Sequence, residues 1–276
     1  TGRLGRSHLL DEGSMIRTAL AFLLILILIL SLGNAGAATA PVVKDLNFDG
    51  GSERALLLSP DQPKATVVLF PGGDGVIKLG SDGSIGAPTN FLVRSRIHWV
   101  ERGYAVLIPD APAGPSLMGR RISEHYAAAV AALVSFAKQT IPAPVWLVGT
   151  SQGTNAVVSG ASRLSHGEIA GIILTSPITE PGKGKDLKET VFDADLPAIN
   201  VPVLIVSHSD DSCAMTPPGD QAKLTAAFTG SPFAKAILVS GGKPAVSAPC
   251  EAEAPHGFYG VEVDTIKHMV SFIAAH

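Results

Sequence analysis

Residues 149–153 read Gly-Thr-Ser-Gln-Gly, a G-x-S-x-G pentapeptide between the apolar run 145–148 and the stretch Thr154-Asn155-Ala156-Val157-Val158. A serine hydroxyl is a poor nucleophile at neutral pH. It attacks a carbonyl only when an imidazole takes its proton and a carboxylate orients that imidazole. Both groups occur downstream. The run 203–207 is followed by His208-Ser209-Asp210-Asp211-Ser212-Cys213, which offers two carboxylates, and His256 stands in Ala254-Pro255-His256-Gly257-Phe258. Among the other histidines, His98, His125 and His268 fall in helical patterns, His166 in a polar turn, His8 and His276 near the two ends, and His208 beside the acids. Acyl transfer also needs backbone N–H donors aimed at the developing oxyanion. Pro71-Gly72-Gly73-Asp74-Gly75 is a glycine-rich turn whose backbone a substrate can approach without a Cβ in the way.

The elements that must position these groups are legible as an alternation. Short β-branched or apolar runs at 55–58, 65–70, 105–109, 145–148, 171–175, 203–207 and 236–240 alternate with amphipathic stretches at 90–102, 123–139, 153–164, 219–228 and 262–275. Several runs are apolar on consecutive positions, as strands buried on both faces are, so the pattern predicts a parallel sheet covered by helices on two sides. The clearest helix is 123–139, where Ser123 can cap the first turn and Tyr126, Val130, Leu133 and Phe136 form one apolar face. On this reading Ser151 falls at a strand-to-helix turn and His256 just before the last helix. The acids follow the C-terminal end of a strand, the edge at which open α/β sheets bind ligands. The connection from 176 to 202 holds Pro181-Gly182-Lys183-Gly184-Lys185 and a small helix near 187–192, too little for a cap domain.

Glycine-rich turn, G-T-S-Q-G elbow, Asp after a strand and His before the last helix, in that order, resemble the α/β-hydrolase superfamily over nearly all of residues 44–276. The resemblance implies an α/β-hydrolase fold: a mostly parallel eight-stranded sheet, helices on both faces, no large cap domain. It implies a serine mechanism without cofactor or metal, with Ser151, Asp211 and His256 as the triad. Asp211 is preferred to Asp210 for its spacing from the strand end and from Pro217. The oxyanion donors would be the N–H groups of Gly73, with Asp74 as its alternative, and Gln152. His208 would precede the acid, against the family's order, and takes a structural role. Pro71 departs from the pattern, since many lipases and esterases carry His there. Loop placement makes Leu117, Met118, Phe258 and Tyr259 the candidate substrate-pocket residues, while Arg94, Arg96, Arg120 and Arg121 are expected on solvated faces. The activity so implied is cleavage of a carboxylic ester through an acyl-enzyme on Ser151, as in carboxylesterases and lipases. The same triad serves a thioesterase or a peptidase, and a non-catalytic binding protein on the same fold is the alternative of another class.

Residues 19–32 form an uncharged apolar run preceded by Met15 and Arg17 and followed by Gly33-Asn34-Ala35-Gly36-Ala37-Ala38. That is the pattern of a signal peptide with an A-x-A cleavage site ending at Ala37. The run falls short of the roughly 20 apolar residues that span a bilayer. The expected organisation is therefore a non-native or upstream extension over 1–14, a signal peptide over 15–37 and a single domain over 38–276, exported to the periplasm or secreted and left without a stable membrane anchor. Cys213 and Cys250 are the only cysteines. An isolated pair in an exported chain predicts a disulfide rather than a metal site, and this one would tie the acid loop to the His loop. A composition of 46% hydrophobic and 16% charged residues is that of a globular protein. A net charge of -3 without clusters of Lys and Arg beside aromatics speaks against a nucleic-acid partner, leaving a small-molecule ester-type substrate.

Overall fold

The structure is a computed structural model that describes Thr1, Gly2 and residues 40–112 and 116–276. The chain divides into two units, Thr1–Ala37 and Ala38–His276; the architecture below is that of the second. The leader expected over 15–37 lies outside the described residues, as does the extension over 1–14 apart from its first two residues.

Eight strands form one sheet: β1 (Val42–Phe48), β2 (Gly51–Leu58), β3 (Thr66–Phe70), β4 (Ala105–Pro109), β5 (Val145–Thr150), β6 (Gly171–Thr175), β7 (Val203–His208) and β8 (Ala234–Val239). Their order is β1-β2-β4-β3-β5-β6-β7-β8. The pairs β1–β2 and β2–β4 are antiparallel, and all the others are parallel. Among the described residues, six α-helices accompany the sheet: α1 (Phe91–Arg94), α2 (Arg96–Val100), α3 (Glu124–Thr140), α4 (Gly153–Ala161), α5 (Gln221–Ala227) and α6 (Glu262–Ala275).

The parallel strands β3 to β7 are buried at every position, which is why they read as unbroken apolar runs. Successive side chains leave opposite faces, so Val68 and Phe70 pack with Val130 and Leu133 of α3 and Val157 of α4. Val67 and Leu69 pack on the other side with Phe91 of α1, Trp99 of α2 and Met269 of α6. The Ser123 hydroxyl accepts the Tyr126 N–H at 3.2 Å and caps α3, an interaction typically worth ~1 kcal/mol.

Three departures from the sequence reading have local causes. Strand β1 carries Lys44, Asp45 and Asn47 on a largely exposed sheet edge, so no apolar run marks it. The stretch expected as one helix over 90–102 breaks at Ser95, whose hydroxyl returns to the Phe91 carbonyl at 2.6 Å while its N–H closes the first helix. The small helix expected near 187–192 is instead a pair of 3₁₀ turns, Val191–Asp193 and Leu196–Ala198. Among the described residues, the connection from β6 to β7 inserts no domain over the sheet edge.

Candidate active site

Strand register brings the chemical groups together. Phe70 pairs with Gly149, Thr150 with Thr175, and Thr175 with Val206. The loops leaving β3, β5, β6 and β7 therefore emerge along one edge of the sheet. Ser151 occupies the turn from β5 into α4 with φ of 53°, in the left-handed region, where a residue with a side chain costs about 1–3 kcal/mol. Its N–H donates to the Thr175 carbonyl at 3.0 Å, and its own carbonyl accepts from the Thr154 N–H and hydroxyl at 2.9 and 2.6 Å. The flanking glycines are steric requirements. A β-carbon at Gly149 would stand 2.5 Å from the Gly153 carbonyl, and one at Gly153 would overlap the Phe70 carbonyl. The G-x-S-x-G spacing thus records how closely helix and strand approach at this turn.

His256 lies in a 3₁₀ turn, Pro255–Gly257, ahead of α6. Its Nδ1 is 3.0 Å from Asp211 Oδ2. Both oxygens of that carboxylate are engaged: Oδ1 accepts the Cys213 N–H at 2.9 Å, and Oδ2 also accepts the Thr216 hydroxyl at 2.8 Å. The Asp211 side chain has no exposure and that of His256 only 4%. An Nδ1–H donated to a buried carboxylate leaves Nε2 as the unprotonated nitrogen of the neutral ring. Asp210 is exposed, accepts from Ser209 Oγ at 3.2 Å, and makes no bond to His256. His208 is buried, with Nε2 on the Gly241 carbonyl at 2.9 Å and Nδ1 accepting the Asp210 N–H at 3.0 Å. Both its nitrogens are engaged in holding the backbone beside the acid loop.

Cys213 and Cys250 form a disulfide with Cα atoms 4.6 Å apart. Further bonds fix the His256 turn. Ser176 Oγ donates to the His256 carbonyl at 2.8 Å. Arg94 donates to the carbonyls of Gly257 and Thr89, each at 2.6 Å, and pairs with Glu262 at 2.9 Å. Arg94, expected on a solvated face, is thus a half-buried clamp between α1, the His turn and α6, and Arg121, expected on such a face too, is buried. Sequence reasoning missed Ser176, Thr216 and the role of Arg94, because their partners lie on other loops.

Ser151 and His256 line one cavity of about 310 Å³, together with Gly72, Gly73, Asn90, Glu251 and Glu253 among others. The chain turns at Gly72, whose carbonyl accepts the Gly75 N–H at 3.2 Å, and Gly73 adopts φ of 61°. Among the described residues, the N–H groups of Gly73, Asp74 and Gln152 have no acceptor. Gly73 lines the cavity; Asp74 and Gln152 do not.

The four residues expected in the substrate pocket do not line this cavity. Leu117 lines a second one of about 680 Å³ with Phe48, His125, Tyr126 and Glu189. Met118 borders neither cavity. Phe258 is fully buried with φ of 57°, its ring 4.8 Å from that of Phe91. Tyr259 stacks beneath the Lys243 ammonium, 5.5 Å from the ring centre.

An eight-stranded sheet with its first two strands antiparallel, helices on both faces and a serine elbow after β5 is the α/β-hydrolase fold. In structure the chain is similar to a cold-adapted esterase from an Arctic intertidal metagenomic library, in its PEG-bound complex. The TM-score is 0.56 at 17% identity, over 83% of this chain and 93% of that one. It is similar also to an esterase of Pyrococcus furiosus, with a TM-score of 0.60 at 12% identity, over 87% of this chain and 92% of that one. At such identities the likeness is one of fold. No protein-family model matches the chain, and no curated protein matches it.

Proposed function

We propose that the chain is an exported serine hydrolase that cleaves a carboxylic ester of a small molecule through an acyl-enzyme on Ser151. The observation that carries this reading is Ser151, raised on a strained strand-to-helix turn into the same cavity as a His256 whose Nδ1 is held by the buried Asp211. In the first step Ser151 Oγ bonds to the ester carbonyl carbon, its proton passes to His256 Nε2, and the carbonyl electron pair moves onto oxygen. Asp211 holds the imidazolium so formed. The N–H groups of Gly73 and Gln152, without an acceptor among the described residues, stabilise the oxyanion. Collapse breaks the bond to the alcohol oxygen, which takes the proton from His256. Water then repeats the sequence on the acyl-enzyme and frees the acid.

The Arctic and Pyrococcus proteins of the same fold are named esterases, and a cavity of about 310 Å³ suits a small ester. The disulfide fits an oxidising compartment beyond the cytoplasm. The test is fluorophosphonate labelling of the folded chain with the adduct mapped by mass spectrometry. Adduct on Ser151, lost in Ser151→Ala, is the expected result. A folded chain that takes no label, or takes it elsewhere, sinks the assignment and favours a binding protein of the same fold.

A further inference from the structure

The Asn90 side chain has two ends with different chemistry, and the fold commits one of them. Its Oδ1 accepts the Leu92 N–H at 3.0 Å as the cap of α1. An N–H can be met only by the amide oxygen, so this bond fixes which way the amide faces and turns Nδ2, a donor of two hydrogens, the other way. Nδ2 has no acceptor among the described residues, and Asn90 lines the Ser151 cavity. The direction follows from Gly72. A β-carbon there would stand 3.4 Å from Asn90 Nδ2 and 3.0 Å from Ser151 Cβ. The amide and the serine thus flank one point at the base of the Gly72–Gly73 turn. The backbone beneath the amide is held on two sides, by the Arg94 N–H on the Asn90 carbonyl at 2.9 Å and by the Arg94 guanidinium on the Thr89 carbonyl. An uncommitted donor on a fixed backbone, turned toward a nucleophile, acts without reorganising.

We infer that Asn90 is a catalytic residue whose Nδ2 donates a hydrogen bond to the substrate carbonyl oxygen beside the N–H groups of Gly73 and Gln152, an inference that rests on the reading of Ser151 as nucleophile. The bond strengthens as negative charge develops on that oxygen, and no proton is transferred from the amide. Asn90 therefore favours the tetrahedral state over the bound ester and acts on kcat rather than KM.

Two variants separate this role from the cap. Asn90→Ser keeps an oxygen that can accept the Leu92 N–H but does not reach the cavity. Asn90→Asp is isosteric, keeps the cap, and replaces the donor with a carboxylate oxygen. With a short-chain p-nitrophenyl ester, kcat of Asn90→Ser should fall on the order of 100-fold, the usual effect of one lost oxyanion donor, with KM little changed. Asn90→Asp should fall further through charge repulsion. Affinity for a boronic acid, which forms a tetrahedral adduct on the serine, should drop by the same factor as kcat, with thermal midpoints near wild type. If Asn90→Ser keeps wild-type kcat, or if kcat falls while boronate affinity does not, the donor role is overturned and the reading of Ser151 stands. Should Asn90→Ser fail to fold, Asn90→Asp decides by the same two measurements. A wild type that hydrolyses no ester, or hydrolyses it equally well as Ser151→Ala, removes the reading of Ser151 and this inference with it.

Discussion

Cys213 is bonded to Cys250, and the link joins the loop that holds Asp211 to the loop that holds His256. Asp211 and His256 come from segments 45 residues apart. Their 3.0 Å contact survives only while those two loops keep their relative placement, and the disulfide sits beside it.

Removing that link should cost stability and turnover together. The cysteines are 37 residues apart in sequence, and a closed loop of that length corresponds to about 4 kcal/mol of unfolded-state entropy. The Cys213→Ser, Cys250→Ser double variant should lose stability of that order in denaturant melts. At a temperature where it remains folded, kcat should fall more than KM rises. Full retention of kcat there would show that hydrogen bonds alone position the pair.

Ser151 holds a left-handed backbone at φ of 53°. Ser151→Ala and Ser151→Gly should both be inactive and differ in stability. Glycine adopts this φ without steric cost, so Ser151→Gly should be about 1 kcal/mol more stable than Ser151→Ala. Equal melting curves would mean that the turn stores no strain.

Glu53, on β2, is 2% exposed, and neither carboxylate oxygen has a partner among the described residues. Burial pushes its carboxyl up from an ordinary 4.5 to about 8. The folded protein therefore binds this proton more tightly than the unfolded chain. The stability it contributes is complete below pH 4.5 and is lost as the pH rises toward and through about 8. Glu53→Gln keeps the shape without the titration. Its stability should exceed that of wild type by a growing margin from pH 5 to pH 9, reaching a few kcal/mol. Parallel stability curves for the two proteins would show that the carboxyl is not held neutral.

Much of the site is local and was legible as pattern. In G-T-S-Q-G a Cβ at Gly149 is excluded by Gly153 of the same pentapeptide, while one at Gly153 is excluded by Phe70 of neighbouring β3. Strands β3 to β7 announce themselves because burial on both faces demands apolar residues at consecutive positions. Strand β1 does not, because an exposed edge makes no such demand.

The sequence by itself determined the alternation of strands and helices, the Ser151 elbow, and the chain order of serine, acid and histidine. Only the tertiary structure decided that Asp211 rather than Asp210 meets His256, since adjacent residues differ in direction and not in type. It alone placed Leu117 in another cavity and Phe258 in the core, turned Arg94 from a surface charge into a clamp on Gly257, and brought Asn90 and Ser151 to opposite sides of Gly72. Each of these depends on loops far apart in the chain meeting at one sheet edge. The Arg94 to Gly257 contact spans 163 residues, and strand register, which a single sequence does not spell out, sets where such partners meet.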